Sequence, residues 1–330
     1  MRSPFPWFGG KSRVAGLVWQ RFGDVPNYCE PFFGSGAVLL ERPSKPHTET
    51  INDRDCFVAN FWRALQADPQ AVARYADNPV NEADQHARHL WLIQQTDWAE
   101  RMKTEPEFYD AKIAGWWVWG QCIWIGSGWC SGLRQRPHLG DAGTECIASD
   151  LTSGTPSRVH LLAYMQELAE RLRTVRVCCG DWSRICGPSP TVKHGITGVF
   201  LDPPYADESE RTDGLYAVDD GQVAHAVREW AAEWGADPRM RIALCGYEGE
   251  HAMPDGWECV PWKARGGYGS QGDIGGTGRE NSGRERIWFS PYCLRTSLFS
   301  QLIGTEESRE LYSSLCFPLC LCGSVVNGTR

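Results

Sequence analysis

The sequence predicts an α/β protein built on an open, doubly wound sheet. Short apolar runs end in glycine, proline or aspartate at residues 27–30, 175–179, 198–201 and 241–245. Segments with helical spacing lie between these runs, and strands that alternate with helices are typical of a parallel sheet. Polar residues directly after the strands predict a ligand site at the carboxyl edge of that sheet.

Composition and charge exclude several classes of protein. The 330 residues are 42% hydrophobic and include 16 Trp, so an intrinsically disordered chain is excluded. The formal charge of −8 argues against a protein that coats nucleic acid without specificity, although it permits a DNA enzyme with a basic face. There is no apolar run long enough for a membrane span and no apolar signal region at the N-terminus, so we expect reduced thiols and a cytoplasmic location.

Small residues after the first strand predict a turn that a ligand approaches closely. The run 30–36 reads EPFFGSG and leads into a helical pattern. Glycines at such a turn let a ligand reach the backbone at the start of a helix. Gly34 and Gly36 form a short Gly-x-Gly rather than a dinucleotide motif, which disfavours a nicotinamide cofactor. A plain strand–helix turn is the alternative.

Two other segments carry weaker signals for the same ligand. Residues 7–11 read WFGGK, which places Trp7 and Lys11 around a glycine pair. This pattern fits a loop that grips a ligand, or a simple terminal turn. Asp53 follows the glycine turn by about 20 residues, a position from which an acid can accept hydrogen bonds from ribose hydroxyls. Any surface aspartate would satisfy that spacing.

The strand–helix alternation stops between residues 60 and 154. This segment is predicted to be a mainly helical insertion into the sheet domain. Its tryptophan-rich part, residues 116–129, is expected to lie mostly in the core, with a base-stacking platform as the alternative. Arg134 and Arg136 follow in a polar stretch and are candidate DNA contacts, because arginine pairs bidentately with guanine. A solvated loop is equally compatible.

The run 199–201 is followed by the strongest local signal, Asp202-Pro203-Pro204-Tyr205. An exocyclic amine of a nucleobase is a weak nucleophile because its lone pair is delocalised into the ring. The Asp202 carboxylate and the Pro203 carbonyl would accept the amine protons, and two prolines stiffen the turn. The Tyr205 ring offers a face on which a flipped base can stack. The alternative is an ordinary proline turn.

Taken in order, these motifs resemble the Dam-like, D12 class of adenine-N6 DNA methyltransferases. The motifs are WFGGK, EPFFGSG, Asn52-Asp53 with residues 60–63, and DPPY at 202–205, and residues 285–291 resemble the closing segment of phage-borne members. The resemblance spans about residues 3–293. It implies a Rossmann-like sheet that binds S-adenosylmethionine, with an inserted target-recognition subdomain. It implies no metal, because the sulfonium is already an activated methyl donor.

The resemblance also implies a role for each matched position. The cofactor would be held by Trp7 and Lys11 in the N-terminal segment, by Phe33, Gly34 and Gly36 around its methionine part, by Asp53 at the ribose and by Asp181 near the adenine. The target amine would be held by Asp202, Pro203, Pro204 and Tyr205. Arg265, in the basic segment 263–286, is expected to contact DNA phosphates together with the basic N-terminal segment.

The predicted organisation has four parts. Residues 1–59 and 155–293 would form the catalytic domain, 60–154 the target-recognition insertion, and 294–330 a divergent or disordered tail.

The predicted function is site-specific adenine-N6 methylation of a flipped-out base in double-stranded DNA, in a bacterial cell or a phage-infected host. Cytosine-N4 methylation and a non-catalytic DNA-binding protein on the same fold are the alternatives. A cognate restriction endonuclease is a compatible partner, and a monomer is adequate.

Overall fold

The computed structural model describes residues 1–7, 9–44, 47–125, 129–130, 138–139, 158–205, 222–263 and 283–295. The chain divides into two units, Met1–Cys293 and Leu294–Arg330, and the description below concerns the first. Three residues predicted to contact DNA lie outside the described residues: Arg134, Arg136 and Arg265. The predicted tail lies outside them too, apart from its first two residues.

Helices and strands alternate along the described chain. The helices are α1 Ser12–Phe22, α2 Ala37–Leu40, α3 Cys56–Ala67, α4 Pro69–Ala76, α5 Glu82–Gln94, α6 Trp98–Thr104, α7 Ala111–Ile123, α8 Arg158–Leu172 and α9 Val223–Trp234. The strands are β1 Asn27–Glu30, β2 Thr48–Asp53, β3 Trp124–Ile125, β4 His138–Leu139, β5 Arg176–Cys179, β6 Thr197–Leu201, β7 Met240–Tyr247, β8 Glu258–Pro261 and β9 Glu285–Phe289. Short 3₁₀ helices span Trp182–Ile185 and Val192–His194.

Seven of these strands form one sheet in the order β5-β2-β1-β6-β7-β9-β8. The first five of that order are mutually parallel, and β9 lies antiparallel between β7 and β8. The chain places β2 and β5 on one side of β1 and then returns to place β6 on the other side. Ligands bind at the carboxyl ends of strands at such a reversal of strand order. The predicted α/β sheet is confirmed, and its mostly parallel arrangement is consistent with the Rossmann-like fold that the resemblance implies.

The sheet has an apolar core on each face. Along β6, Val199 and Leu201 pack into one buried cluster whereas Phe200 packs into the other. Side chains alternate between the faces of a strand, so a strand with helices on both sides must be apolar throughout. All five residues of β6 are buried, which explains why the sequence shows a continuous apolar run there.

The described part of the predicted insertion is mainly helical, as expected, and α7 packs against α3 and α4. The predicted boundary at residue 60 falls inside α3, which continues to Ala67. The tryptophans of this segment were expected to lie mostly in the core, and the structure confirms this for Trp117, Trp119, Trp124 and Trp129. These four rings are not accessible for stacking on a base, whereas Trp116 of the same cluster is only partly buried.

No helix within the described ranges is both long and apolar enough to cross a lipid bilayer.

Candidate active site

An open cleft with about 780 Å³ of empty volume lies at the carboxyl edge of the sheet. The segments that follow four neighbouring strands supply its walls. Pro31 and Phe32 come from the segment after β1, Asp53 from the end of β2, Asp181 from the segment after β5, and Asp202 from the segment after β6. The cleft therefore occupies the topological switch point between β1 and β6, where a ligand site is expected.

Asn52 ties together the three strand ends at the base of this cleft. Its side-chain nitrogen donates to the carbonyl oxygens of Pro31 and Gly180, each at 3.0 Å. Its backbone carbonyl accepts from the Phe33 amide at 3.0 Å. Asn52 is buried, and its Oδ1 accepts no hydrogen bond from the described residues. The cleft floor is thus rigid and keeps one unsatisfied acceptor.

The cleft is acidic. Asp53 accepts hydrogen bonds from the amides of Gly34 and Asp55, each at 2.9 Å. Burial raises the pKa of Asp53 to about 7, with a further contribution from Asp55, and burial raises the pKa of Asp55 to about 6. Among the described lining residues, Arg54 is the only cation. Such a cleft favours a ligand that brings positive charge or hydroxyl donors.

Asp181 also lines the cleft and is the N-cap of the 3₁₀ helix Trp182–Ile185. Its carboxylate accepts hydrogen bonds from the backbone amide and the hydroxyl of Ser183. These hydrogen bonds hold the pKa of Asp181 below its usual value, so the group is ionised. The neighbouring Trp182 and Phe32 both line the cleft, with ring centroids 6.4 Å apart and an angle of 27° between the ring planes.

The two glycines of the turn pack against the rings of Trp7 and Phe33. Gly34 has a φ of +48°, and a Cβ there would lie 2.4 Å from the Trp7 indole nitrogen. Gly36 has a φ of +71° and packs in the same way against the Phe33 ring. Phe33 is buried against Trp62. Of the predicted residues in this region, Trp7 lines the cleft, whereas Phe33, Gly34 and Gly36 are not among its described lining residues.

Lys11 lies beside the predicted amine acceptor. Its ammonium nitrogen is 2.9 Å from Oδ1 of Asp202 and donates to the Gly9 carbonyl at 2.6 Å. Burial lowers the pKa of Lys11, but Asp202 and Glu285 raise it by more, so Lys11 remains charged. Burial raises the pKa of Asp202, and Lys11 opposes that shift. Lys11, predicted as a cofactor residue, is buried and is not among the described lining residues.

The remaining residues of the DPPY turn occupy different environments. Pro203 is buried, and Pro204 lines the cleft beside Asp202. The Tyr205 hydroxyl lies 2.8 Å from Oε2 of Glu285 and 3.3 Å from Oδ1 of Asp202. Its ring packs edge to face against Tyr247, with centroids 4.6 Å apart. The structure therefore brings together the start of α1, the turn after β6 and the start of β9.

Several residues of this site were not predicted from the sequence. Phe32, Asp55 and Trp182 line the cleft, and each lies within two positions of a predicted residue, so proximity in sequence was the available signal. Glu285 was placed only in a closing segment. Its available signal was an acid at the start of a short strand that ends in three apolar residues, because a buried acid needs a polar partner.

The predicted basic N-terminal surface needs correction. Lys11 and Arg21 are buried and pair with Asp202 and Glu258, so neither is available to a DNA phosphate. Arg13 is exposed, and its guanidinium lies 3.5 Å from the Lys263 carbonyl, which brings the N-terminal segment next to the start of the second basic segment. Over the described residues, no group of three His, Cys, Asp or Glu is arranged to hold a metal ion.

Comparison with known families finds a match for the N-terminal third of the chain. A search of curated proteins finds no relative that matches the chain. Residues 7–113 match the family model described as D12 class N6 adenine-specific DNA methyltransferase. The matched segment includes the WFGGK motif, the glycine turn and Asp53, and it ends well before Asp202. The predicted resemblance and enzyme class are thereby confirmed by a match that covers residues 7–113, about a third of the chain.

Proposed function

We propose that this protein transfers a methyl group from S-adenosylmethionine to N6 of an adenine flipped out of double-stranded DNA. One observation carries the proposal beyond the family match. Asp202 lines the acidic cleft and is at the same time paired with the buried Lys11. The amine acceptor therefore lies at the boundary of the cleft that would hold the methyl donor.

The cleft residues fit S-adenosylmethionine by their chemistry. The cofactor carries a sulfonium and an ammonium, and its ribose hydroxyls are donors. Asp53 and Asp55 supply carboxylates, and Asn52 supplies the unsatisfied Oδ1. The rings of Phe32 and Trp182 present apolar surface for a purine. Bound there, the cofactor would supply an activated methyl group.

Asp202 would act on the adenine amine. It would accept one amine proton in a hydrogen bond, which holds the nitrogen lone pair toward the methyl group and stabilises the positive charge that develops on nitrogen. Lys11 supports this role because its ammonium favours the ionised form of Asp202. The contacts of Asp202 with Lys11 and Tyr205 both use Oδ1. We therefore assign Oδ2 to the amine, with the Pro203 carbonyl as the second acceptor.

Methyl transfer from radiolabelled S-adenosylmethionine to duplex DNA, followed by nucleoside analysis, tests this function. We expect the label in N6-methyladenine. Label in N4-methylcytosine would favour the alternative amine, since both amines need the same acceptors. Tight DNA binding without transfer would favour a non-catalytic DNA-binding protein. With this substrate, we also propose a location with DNA in the cytoplasm of a bacterial cell or phage-infected host.

A further inference from the structure

Glu285 is a buried carboxylate behind the DPPY turn. It is the first residue of β9 and is 5% exposed. Its partner across the antiparallel pair is Tyr247, whose ring packs on Tyr205. Burial raises the pKa of Glu285, and Lys11 and the Tyr205 hydroxyl oppose that shift. A carboxylate in this position is retained only where polar partners compensate for its burial.

The Tyr205 hydroxyl faces two carboxylates but has one proton to donate. It lies 2.8 Å from Oε2 of Glu285 and 3.3 Å from Oδ1 of Asp202. The shorter contact has the ordinary length of a strong hydrogen bond between hydroxyl and oxygen, whereas the longer one is weak. Glu285 is therefore the acceptor, and Asp202 is left to bind other donors.

This hydrogen bond spans the edge of the sheet. β6 and β9 are not neighbours, because β7 lies between them. The contact from Tyr205 to Glu285 crosses the carboxyl end of β7, where Tyr247 fills the space beneath. It ties the turn after β6 to a strand that is fixed on both sides by β7 and β8.

We propose that Glu285 is a positioning residue for methyl transfer, acting through the Tyr205 hydroxyl. By accepting that proton, Glu285 fixes the turn that carries Asp202 and keeps Asp202 available for the adenine amine. The inference rests on the proposed function and adds a residue to it. The competing explanation is that Glu285 only balances the charge of Lys11 or stabilises the fold.

The test compares Glu285→Ala, Glu285→Gln, Tyr205→Phe and the double variants in the full chain. Glu285→Ala should lower kcat by about 10- to 100-fold, the range expected for loss of a hydrogen bond to a charged group. Glu285→Gln keeps an acceptor oxygen and should retain kcat within about threefold of the wild type. The dissociation constant of S-adenosylmethionine, measured by calorimetry, should be unchanged, because Glu285 is not among the described cleft-lining residues.

The double variants separate positioning from charge balance. If Glu285 acts through the hydroxyl, Glu285→Ala should have little further effect on kcat once Tyr205 is phenylalanine. Multiplicative losses would overturn the positioning role, as would a Gln variant as impaired as the Ala variant. Should Glu285→Ala fail to fold, Tyr205→Phe and Glu285→Gln decide the question, because an impaired Glu285→Gln variant or a fully active Tyr205→Phe variant would overturn the positioning role.

A matched control removes another carboxylate of the same sheet. Glu258 on β8 pairs with the buried Arg21 at 2.6 Å, away from the cleft. Glu258→Gln should lower the melting temperature and leave kcat unchanged, which is the behaviour of a purely structural acid. A wild-type protein that methylates no adenine would overturn the proposed function and this inference with it. An active wild type with the wrong variant pattern would overturn the inference alone.

Discussion

The Lys11 ammonium lies 2.9 Å from Oδ1 of Asp202, so the first helix start and the turn after β6 meet in one buried ion pair. Lys11 is 5% exposed. A buried ammonium is stable only beside a counter-charge, and a buried carboxylate stays ionised only beside a cation. The WFGGK and DPPY motifs are thus joined by an ion pair in which each group stabilises the charge of the other.

Loss of the amine acceptor should abolish most of the activity. Asp202→Ala is expected to lower kcat by at least about 10²-fold, within the range that positioned acid–base groups contribute. Binding of S-adenosylmethionine should weaken by much less. Steady-state kinetics together with calorimetry measure both effects, and the exposed Asp255→Ala serves as control. Near-normal turnover without Asp202 would refute the mechanism.

Loss of the Lys11 charge should change the pH dependence. Lys11 opposes the burial that raises the pKa of Asp202, so Lys11→Met should raise that pKa further. Because the protonated carboxyl is the poorer acceptor, the acid limb of the kcat profile should move to higher pH. Rates at saturating substrate across a pH series measure the shift. An acid limb at the wild-type position would show that Lys11 does not control Asp202.

Cofactor affinity should depend on pH through Asp53. Burial raises the pKa of this group to about 7. A ligand that donates hydrogen bonds to the carboxylate prefers its ionised form, so affinity should rise as pH increases through about 7 and then level off. Asp53→Asn should weaken binding and flatten this dependence while DNA affinity stays constant. Calorimetry at several pH values measures the affinity for the cofactor in both proteins. If Asp53→Asn showed the same pH dependence of affinity as the wild type, Asp53 would not be part of the cofactor site.

Two glycines of the N-terminal region should respond oppositely to alanine. Gly34 has a φ of +48° and touches the Trp7 indole, whereas a Cβ on the exposed Gly16 in α1 meets nothing within 4 Å. Gly34→Ala should lower the free energy of unfolding by about 1–2 kcal/mol from backbone strain alone and weaken cofactor binding. Gly16→Ala should raise it by roughly 0.5–1 kcal/mol. Denaturant unfolding compares the pair, and equal effects would contradict the argument.

Sequence discrimination should be separable from general DNA affinity. Arg134→Ala or Arg136→Ala is expected to reduce discrimination between target and near-target duplexes by about 1–3 kcal/mol. Arg265→Ala should instead weaken all DNA binding similarly and flatten its salt dependence. Competition binding at two salt concentrations distinguishes these outcomes. If both Arg134 and Arg136 variants kept full discrimination, that stretch would not read the target.

The sequence alone determined the sheet and the order of its motifs. A strand that is buried on both faces, such as β6, can be recognised in the sequence because each of its positions must be apolar. The residues that follow them, such as Asp53 and Asp202, were predictable because parallel strands present their carboxyl ends at one edge. Helical spacing also favoured a core position for Trp117 and Trp124, and both are buried.

Only the tertiary structure decided which side chains meet. The pairing of Lys11 with Asp202 was not predicted, and Glu285 was not expected in the site at all. Arg21 is held by Glu258 and is not available to DNA. Each of these contacts joins residues far apart in the chain, and local pattern carries no information on such pairs. Each buried charge needs a partner, and the fold rather than the spacing along the sequence decides which residue that partner is.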